Sequence, residues 1–553
     1  MKHYLCISFL VIALGCICST YAQQPATPAD TTKVVNILHA DRLGFSKKDT
    51  ANPIQYGAGN VAARQNNTLF YSDSAVLNQK TKTFQAYGKV HINDADSTHI
   101  YGEYMRYHFD TKMAYMQKKV TLTNGKSVLT TDELEYDLNQ KIGVYKNGGK
   151  VVNGSTVLTS KEGTYFDELK DVYFRKNVVL VDPKYTLRAD SLLYNTETEI
   201  ATFIGPTRIV DSSKREIVTS EGFYDTKNRI AQFGKRPTIR DGKTLLKADN
   251  IYADDASGIR RAEGNAVYID TAQGVSILAN LLIDDQSTNL MTATRKPLMI
   301  IKQDQDSIYV VADTILSGFV TKADTNQIRK DSLGNRSAKS DSIKLSRKSN
   351  DTVKNTAVVN ASDSTTPRYI KAFHHVRIFS DSLQAVSDSL YYSGVDSVFR
   401  LFTDPIVWAS GNQITGDTIF LYTKNKKAER LYVFENSLVV NKAGPNQYNQ
   451  IQGNTLNGYF NEGTIDFMRA KGNAESIYYI KDEDSAYVGV NRSTADIIDM
   501  RFVNKELNKV VYINDVKGLT TPFLQVKFDE MHLRRFKWLE ARRPKTKFEL
   551  FAD

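Results

Sequence analysis

The chain has only three cysteines, Cys6, Cys16 and Cys18, and all lie in its first 18 positions. Beyond them no disulfide, thiolate metal site or cysteine nucleophile can be built. The 12 prolines among 553 residues are too few for a proline-rich spacer architecture. No run after the N-terminus approaches the roughly 20 apolar residues of a membrane-crossing helix. Helical periodicity is scarcely visible before residue 522. A Gly-rich phosphate loop, a His-Glu-x-x-His pair and a nucleophile elbow are all missing. The one adjacent histidine pair, His374-His375, would face opposite sides of a strand and so cannot grip one ion together. The residues therefore suggest no cofactor, no metal and no catalytic group. A glycosidase-type pair among the 62 acids depends on a separation in space that sequence does not carry.

What is present begins with a targeting segment. Lys2 precedes an apolar run over 4–18, and Thr20-Tyr21-Ala22 reads as a small-x-Ala cleavage site, so residues 1–22 are expected to be a signal peptide cleaved after Ala22. Ala13-Leu14-Gly15-Cys16 loosely resembles a lipoprotein processing site. Leu directly before Gly fits that site badly, and lipidation of Cys16 stays an open alternative. The formal charge of +10 favours anionic partners such as phosphorylated lipids or membrane surfaces. No basic helix or compact Lys/Arg stripe points to nucleic acid.

Behind a polar lead-in over 23–33, one unit recurs. YTLRADSLLYN at 185–195 shows it: the acid Asp190, small Ala189 before it, Leu187 three positions upstream and Leu192 two downstream. The same grammar marks Asp41, Asp73, Glu103, Asp132, Glu162, Asp190, Glu221, Asp249, Asn280, Asp313, Asp388 and Asp417. Steps between the first ten are 32, 30, 29, 30, 28, 31, 28, 31 and 33 residues. Such a period means stacked supersecondary units. Lys161 breaks the small-residue rule and Thr164 the apolar rule, both beside Glu162.

Between these anchors lie turn residues followed by β-branched alternation, as in Gly88-Lys89-Val90, which predicts two or three short strands per repeat. Ala189 to Leu192 is a step of three in a pattern of two, so a bulge or corner belongs there, with the acid pointing outward. The eleven acids, with Asn280 in place of an acid in one copy, read as structural corners. A calcium ladder would need the Gly-rich nonapeptide pattern, which is missing.

The expected fold is all-β, a solenoid-like stack of repeats of about 30 residues. Repeats fill 34–317 and, partly degenerate, 368–521, where Asn454 and Asn491 are candidate anchors. A polar stretch over 318–367 reads as a disordered insertion. The tail, 522–553, includes a short helical segment that would place Met531, Phe536 and Leu539 on one side, as a cap over the last strands or a docking element.

Stacking would align apolar positions into rows. Two residues past the anchors stand Met105, Leu134, Leu192, Phe223 and Ile251; three before them stand Ile100, Leu187, Val218 and Leu246; Tyr194 continues the Leu192 face. These ten residues either fill a closed core or line a continuous apolar groove for lipid, and both readings stay open.

The motifs ILHADRLGF at 37–45, TTDELEYD at 130–137 and LRADSLLYN at 187–195, with GKV-type strand starts such as Gly88-Lys89-Val90, resemble the OstA-like family, the LptA-type periplasmic proteins of lipopolysaccharide transport. The resemblance covers 34–317 and, less fully, 369–423. It implies an elongated, open-ended β-jelly roll without catalysis, whose interior shelters acyl chains on the way to the outer membrane. The implied partners are lipopolysaccharide, through its lipid A acyl chains and phosphates, and inner-membrane transport components and an outer-membrane barrel joined by strand-edge pairing. Self-association along the same edges and an outer-membrane-associated periplasmic location are also implied. The length, the insertion and the tail depart from that family's single bridge domain. A structural or adhesive β-solenoid with a packed core is the competing reading. A polysaccharide-active β-helix enzyme, which needs a carboxylate cluster on one exposed sheet, is a third.

Overall fold

The computed structural model describes residues 34–46, 54–95, 97–302, 307–320, 367–424, 427–504 and 506–551. The expected signal peptide, lead-in and most of the 318–367 insertion lie outside them. The described residues form 42 strands and no α-helix. They divide into two compact units, Met1–Tyr145 and Lys146–Asp553.

In the first unit six long antiparallel strands follow one another: Ile54–Gln65, Thr68–Asn78, Thr83–Asp94, Thr98–His108, Met113–Thr123 and Ser127–Asp137. Apolar and polar residues alternate, so Phe84, Ala86, Val90 and Ile92 of Thr83–Asp94 are all buried, on one face of the pleat. The step from Ala86 to Val90 would break that face, yet the ladder continues: Tyr87 pairs with Tyr104 and Val90 with Gly102, leaving Gly88 and Lys89 as a bulge. Both have positive φ, 71° and 43°. Two left-handed residues in succession bend the strand while keeping the same face inward. Gly88-Lys89 is thus a corner inside one continuous strand, not a turn between two as the sequence pattern suggested.

Such pairs recur at Gly59-Asn60, Lys118-Lys119, Lys176-Asn177, Lys235-Arg236, Gly264-Asn265, Arg295-Lys296 and His374-His375. Each corner faces anchors. Anchor amides donate to the carbonyl of the first left-handed residue: Asp41 to Gly59 at 2.8 Å, Asp249 to Gly264 at 2.8 Å, Asn280 to Arg295 at 3.1 Å, Asp313 to His374 at 3.1 Å. The carboxylates then meet corner side chains. Lys119 binds Glu103 at 2.8 Å and Asn265 binds Asp249 at 2.9 Å. His374 and His375 reach different acids, Asp388 and Asp313.

The structure shifts three anchors. Lys161, not Glu162, donates to Lys176 O, at 2.9 Å. Counted from Lys161, the small residue is Ser160 and the upstream apolar residue is Leu158, while Gly163 stands at the downstream position. The small-residue departure comes from that one-residue slip, and the downstream position holds no apolar side chain in either count. In the next repeat but one Ile217 and Thr219 are buried while Val218 is exposed, so the pattern counts from Ser220 rather than Glu221. Asn454 is an anchor, donating to Gly472 O at 2.8 Å, but Asn491 is not. Asp496 fills that role against Asn514 O at 3.0 Å.

In the second unit long bent strands alternate with pairs of short ones. The halves of Asp171–Asp182 pair with different partners, Glu162–Phe166 and Thr156–Ser160, and so belong to two facing sheets. Two ten-strand rings close among the described residues. The later one runs from Leu383–Ser393 round through Thr464–Lys481 and back. The earlier one, hereafter the ten-strand ring, runs through Tyr185–Asn195, Ile200–Phe203, Glu221–Asp225, Ile230–Gly234, Asn250–Asp254, Ile259–Asp270, Thr244–Lys247, Thr238–Asp241, Glu216–Thr219 and Thr207–Asp211, and returns to its start. Each short strand continues one half of a bent strand, which is what lets the ladder close on itself.

The tail is not helical. Residues 523–551 contain only 3-10 turns, at Phe523–Gln525, Phe528–Glu530, Glu540–Arg542 and Lys547–Phe551. It runs as a strap across the outer face of one sheet. Met531, Phe536 and Trp538 pack with buried Leu533 against Leu438, Val440, Ile477, Tyr479 and Val490, and Leu539 packs against Trp408. Three glutamines hold it. Gln450 donates to Met531 O at 2.9 Å and accepts from Leu533 N at 2.8 Å. Gln413 donates to Lys537 O and accepts from Leu539 N, both at 2.7 Å. Gln384 accepts from Arg543 Nε at 2.9 Å. Each stands four residues before an anchor (Asn454, Asp417 and Asp388). The strap therefore reads the same outward position in three successive repeats.

Candidate functional site

Within each unit the bent strands pass from one sheet to the other at their corners, and in the ten-strand ring of the second unit the turns after Thr207–Asp211 and Asn250–Asp254 face each other as a mouth. Between the sheets lies the apolar interior. Of the ten candidate groove residues, Ile100, Met105, Leu134, Leu187, Leu192, Tyr194 and Ile251 are no more than 1 % exposed, and Leu246 is 6 % exposed. The other two do not face inward. Val218 is 41 % exposed, and half-buried Phe223 pairs with exposed Gln232 on the outer side of its sheet. The cause is the slip from Glu221 to Ser220. A one-residue error moves every side chain to the opposite face, so the inward residues of this repeat are Ile217 and Tyr224.

Those two line a cavity of about 330 Å³ inside the ten-strand ring. Ile209, Ile217, Phe233 and Ile239 form its apolar wall, all of them buried. Its rim is ionic. Arg215 Nε lies 2.9 Å from Asp211 Oδ2, and its Nη2 lies 3.5 Å from Asp255 Oδ1. Asp255 also accepts from Tyr224 Oη at 3.2 Å, and its carbonyl accepts from Arg229 Nη2 at 3.2 Å. Arg260 pairs with Asp284 at 2.6 Å. Arg229 has no carboxylate within ion-pair distance among the described residues. Tyr185 packs edge-on to Tyr224 at 4.9 Å between ring centroids. Its hydroxyl is buried and makes no hydrogen bond among the described residues. Burial, and then the nearby aspartates, push both phenols above their ordinary range, so both stay neutral and can donate. The arrangement combines an apolar chamber with a cationic, hydrogen-bonding rim, and it suits an amphiphile with an anionic head.

Arg215 belongs to the turn between Thr207–Asp211 and Glu216–Thr219, whereas Asp255 follows Asn250–Asp254. Their ion pair therefore ties the two sheets together across the mouth. Other repeats carry similar clasps. Gln65 donates to Phe109 O at 2.9 Å in the first unit, and Asn153 donates to Thr196 O at 3.0 Å in the second. Alternation counted from Ser220 would have found Ile217 and Tyr224. The clasps carry no such signal, because their residue types change from repeat to repeat.

The corner ladder of acids and bases is exposed and structural. The hydrogen bond from Lys119 holds the Glu103 carboxyl below its ordinary value, and that from Lys176 does the same for Glu162; such exposed pairs add little stability. Among the described residues no cluster of three or more His, Cys, Asp or Glu side chains is placed to hold a metal ion.

Residues 32–190 and 175–249 match the model of a family described as OstA-like protein. No curated protein matches the chain.

Proposed function

From the premise that the chain is an OstA-like protein over residues 32–249, we propose that it is a non-catalytic periplasmic lipid carrier of the lipopolysaccharide-transport type. Acyl chains occupy the interior between the sheets, where burial of apolar surface drives binding at about 25 cal/mol per Å². The lipid phosphates meet the arginines at the mouth. The observation that carries this reading is the cavity whose wall is Ile209, Ile217, Phe233 and Ile239 and whose rim holds Arg215, Arg229 and Arg260.

In this reading each unit carries lipid between its own two sheets and presents a terminal strand with one paired edge. Leu38, Leu43 and Phe45, which occupy inward positions of the first repeat, are 56 %, 49 % and 60 % exposed. They offer an apolar step on which lipid is passed along. Among the described residues Arg42–Ser46 pairs only with Ile54–Gln65, and Lys517–Pro522 only with Tyr487–Val503. Such free edges accept further strands, and the proposal places the inner-membrane components, the outer-membrane barrel or a second copy there.

The second reading, a structural or adhesive solenoid, draws on the close packing of Leu187, Leu192 and Tyr194, each 0 % exposed. Binding decides between them. The purified chain should retain lipopolysaccharide and release its deacylated form; a folded chain that binds neither is a closed solenoid.

A further inference from the structure

The strap carries a charge pattern unlike the rest of the chain. Between residues 534 and 547 stand seven Lys or Arg residues against one acid, Glu540. The positive charge is diffuse over most of the chain but concentrated in this one segment, and the fold turns most of it outward. Arg534, Arg535, Lys537, Arg542 and Lys545 are exposed, and none has an ion-pair partner among the described residues. The glutamine clamps set this orientation. With the backbone held at Met531, Leu533, Lys537 and Leu539, Leu533, Phe536, Trp538 and Leu539 turn to the sheet and the cations turn away from it.

Large apolar side chains flank the stripe. Leu524 is 99 % exposed before it, and Phe548 is 82 % exposed after it. Solvation alone accounts for exposed cations, but not for a Leu and a Phe held wholly in water at both ends of a cationic track. A nucleic acid would use rings interleaved with the cations for stacking. Here the interleaved rings, Phe536 and Trp538, are turned inward against Tyr448, at 5.1 and 5.3 Å. An anionic bilayer uses both features together: guanidinium and ammonium groups lie on lipid phosphates while the flanking apolar groups enter the headgroup boundary.

We propose that the outward face of the strap is a docking surface for an anionic lipid membrane, with Arg534, Arg535, Lys537, Arg542 and Lys545 as its phosphate contacts and Leu524 and Phe548 as its insertion points. This surface is separate from the interior, and its test uses vesicles free of lipopolysaccharide, so neither result depends on the carrier reading.

The test is co-sedimentation of the full chain with vesicles of phosphatidylcholine alone or with about one part in three of phosphatidylglycerol. Binding to the anionic vesicles only, weakening with salt, is the expected result. Replacing the five cations by Gln should lower affinity by about 3,000-fold, to below detection, since each cation near such a surface contributes roughly five-fold. These side chains are exposed and unpaired, so the thermal melt should not move. Phe548→Trp in the otherwise native chain gives an independent reading, a blue shift of its fluorescence on adding anionic vesicles. Unchanged binding by the five-Gln chain, or no binding by the native chain, would overturn the proposal. So would displacement by a soluble oligonucleotide with no spectral shift at Phe548→Trp, since that marks a general polyanion patch.

Discussion

Arg215 and Asp255 face each other at 3.5 Å across the mouth of the ten-strand ring, one from a turn of each sheet. Because the pair is the tie between the sheets at the cavity, lipid that enters sideways must part it. The variant Arg215→Cys with Asp255→Cys can be bridged by a reducible bis-maleimide, since no cysteine occurs after Cys18. Bridging should abolish exchange of bound lipopolysaccharide, and reduction should restore it. Unchanged exchange in the bridged protein would place lipid access away from this mouth.

Neighbouring residues separate core from surface. Leu192 is 0 % exposed, so Leu192→Ala should cost about 2–5 kcal/mol through lost burial and a residual cavity. Val218→Ala and Phe223→Ala, on the outer side, should each cost less than about 1 kcal/mol. Denaturant midpoints at unchanged slope measure this directly.

How far the sequence showed all this depends on which residue stands at the corner. Where the anchor is acidic, as at Asp190 or Asp249, the small and apolar neighbours fall in place and the inward row can be read correctly. Where Lys161 or Ser220 holds the corner, the neighbouring Glu162 or Glu221 attracts the pattern, and Val218 and Phe223 are then assigned to the wrong face. Backbone conformation decides the corner, and an acid merely accompanies it. Asp496 was legible, with Ala495 before it and Ile498 two after. The strap was half legible. Met531, Phe536 and Leu539 do lie against the protein, but their helical spacing arises from an extended chain with 3-10 turns. Its receptor, Gln384, Gln413 and Gln450, sits on an outward row that apolar periodicity does not report.

The corner itself can be tested at Gly88. It has φ +71°, and a Cβ there would lie 2.5 Å from Asp73 Oδ2. Gly88→Ala combines left-handed strain with that clash and should destabilise the first unit by about 1–3 kcal/mol. Removing the carboxylate as well, in Gly88→Ala with Asp73→Ala, should recover part of the loss.

Gln413 is fully buried and holds the strap by two hydrogen bonds at 2.7 Å. Gln413→Ala leaves Lys537 O and Leu539 N without those partners, a local cost of about 1–3 kcal/mol. Hydrogen exchange should rise at Leu533–Arg543 while the corners keep their protection. A global fall in protection would mean that the strap and sheet open as one unit.

His91 supplies a pH dependence in the first unit. It stacks between Tyr71 and Tyr101, at 5.5 and 4.4 Å, with Nε2 3.1 Å from His99 Nδ1. Burial, and then the charge on His99, hold its pKa below the ordinary 6.5. The unfolded chain therefore binds the proton first as pH falls. Stability is fully present above about pH 6.5, declines as pH drops through the window below it, and levels off under the folded-state pKa. His91→Gln should flatten that slope, as read from denaturant midpoints across the window.

The most direct measurement is photo-crosslinking in cells at two adjacent residues, Ile217 and Val218, with Tyr224 and Phe223 as a second adjacent pair. Carriage of lipid in the interior predicts lipopolysaccharide adducts at Ile217 and Tyr224 and none at Val218 or Phe223. Adducts on neither face of a folded, exported chain, or equal yields on both, would contradict it.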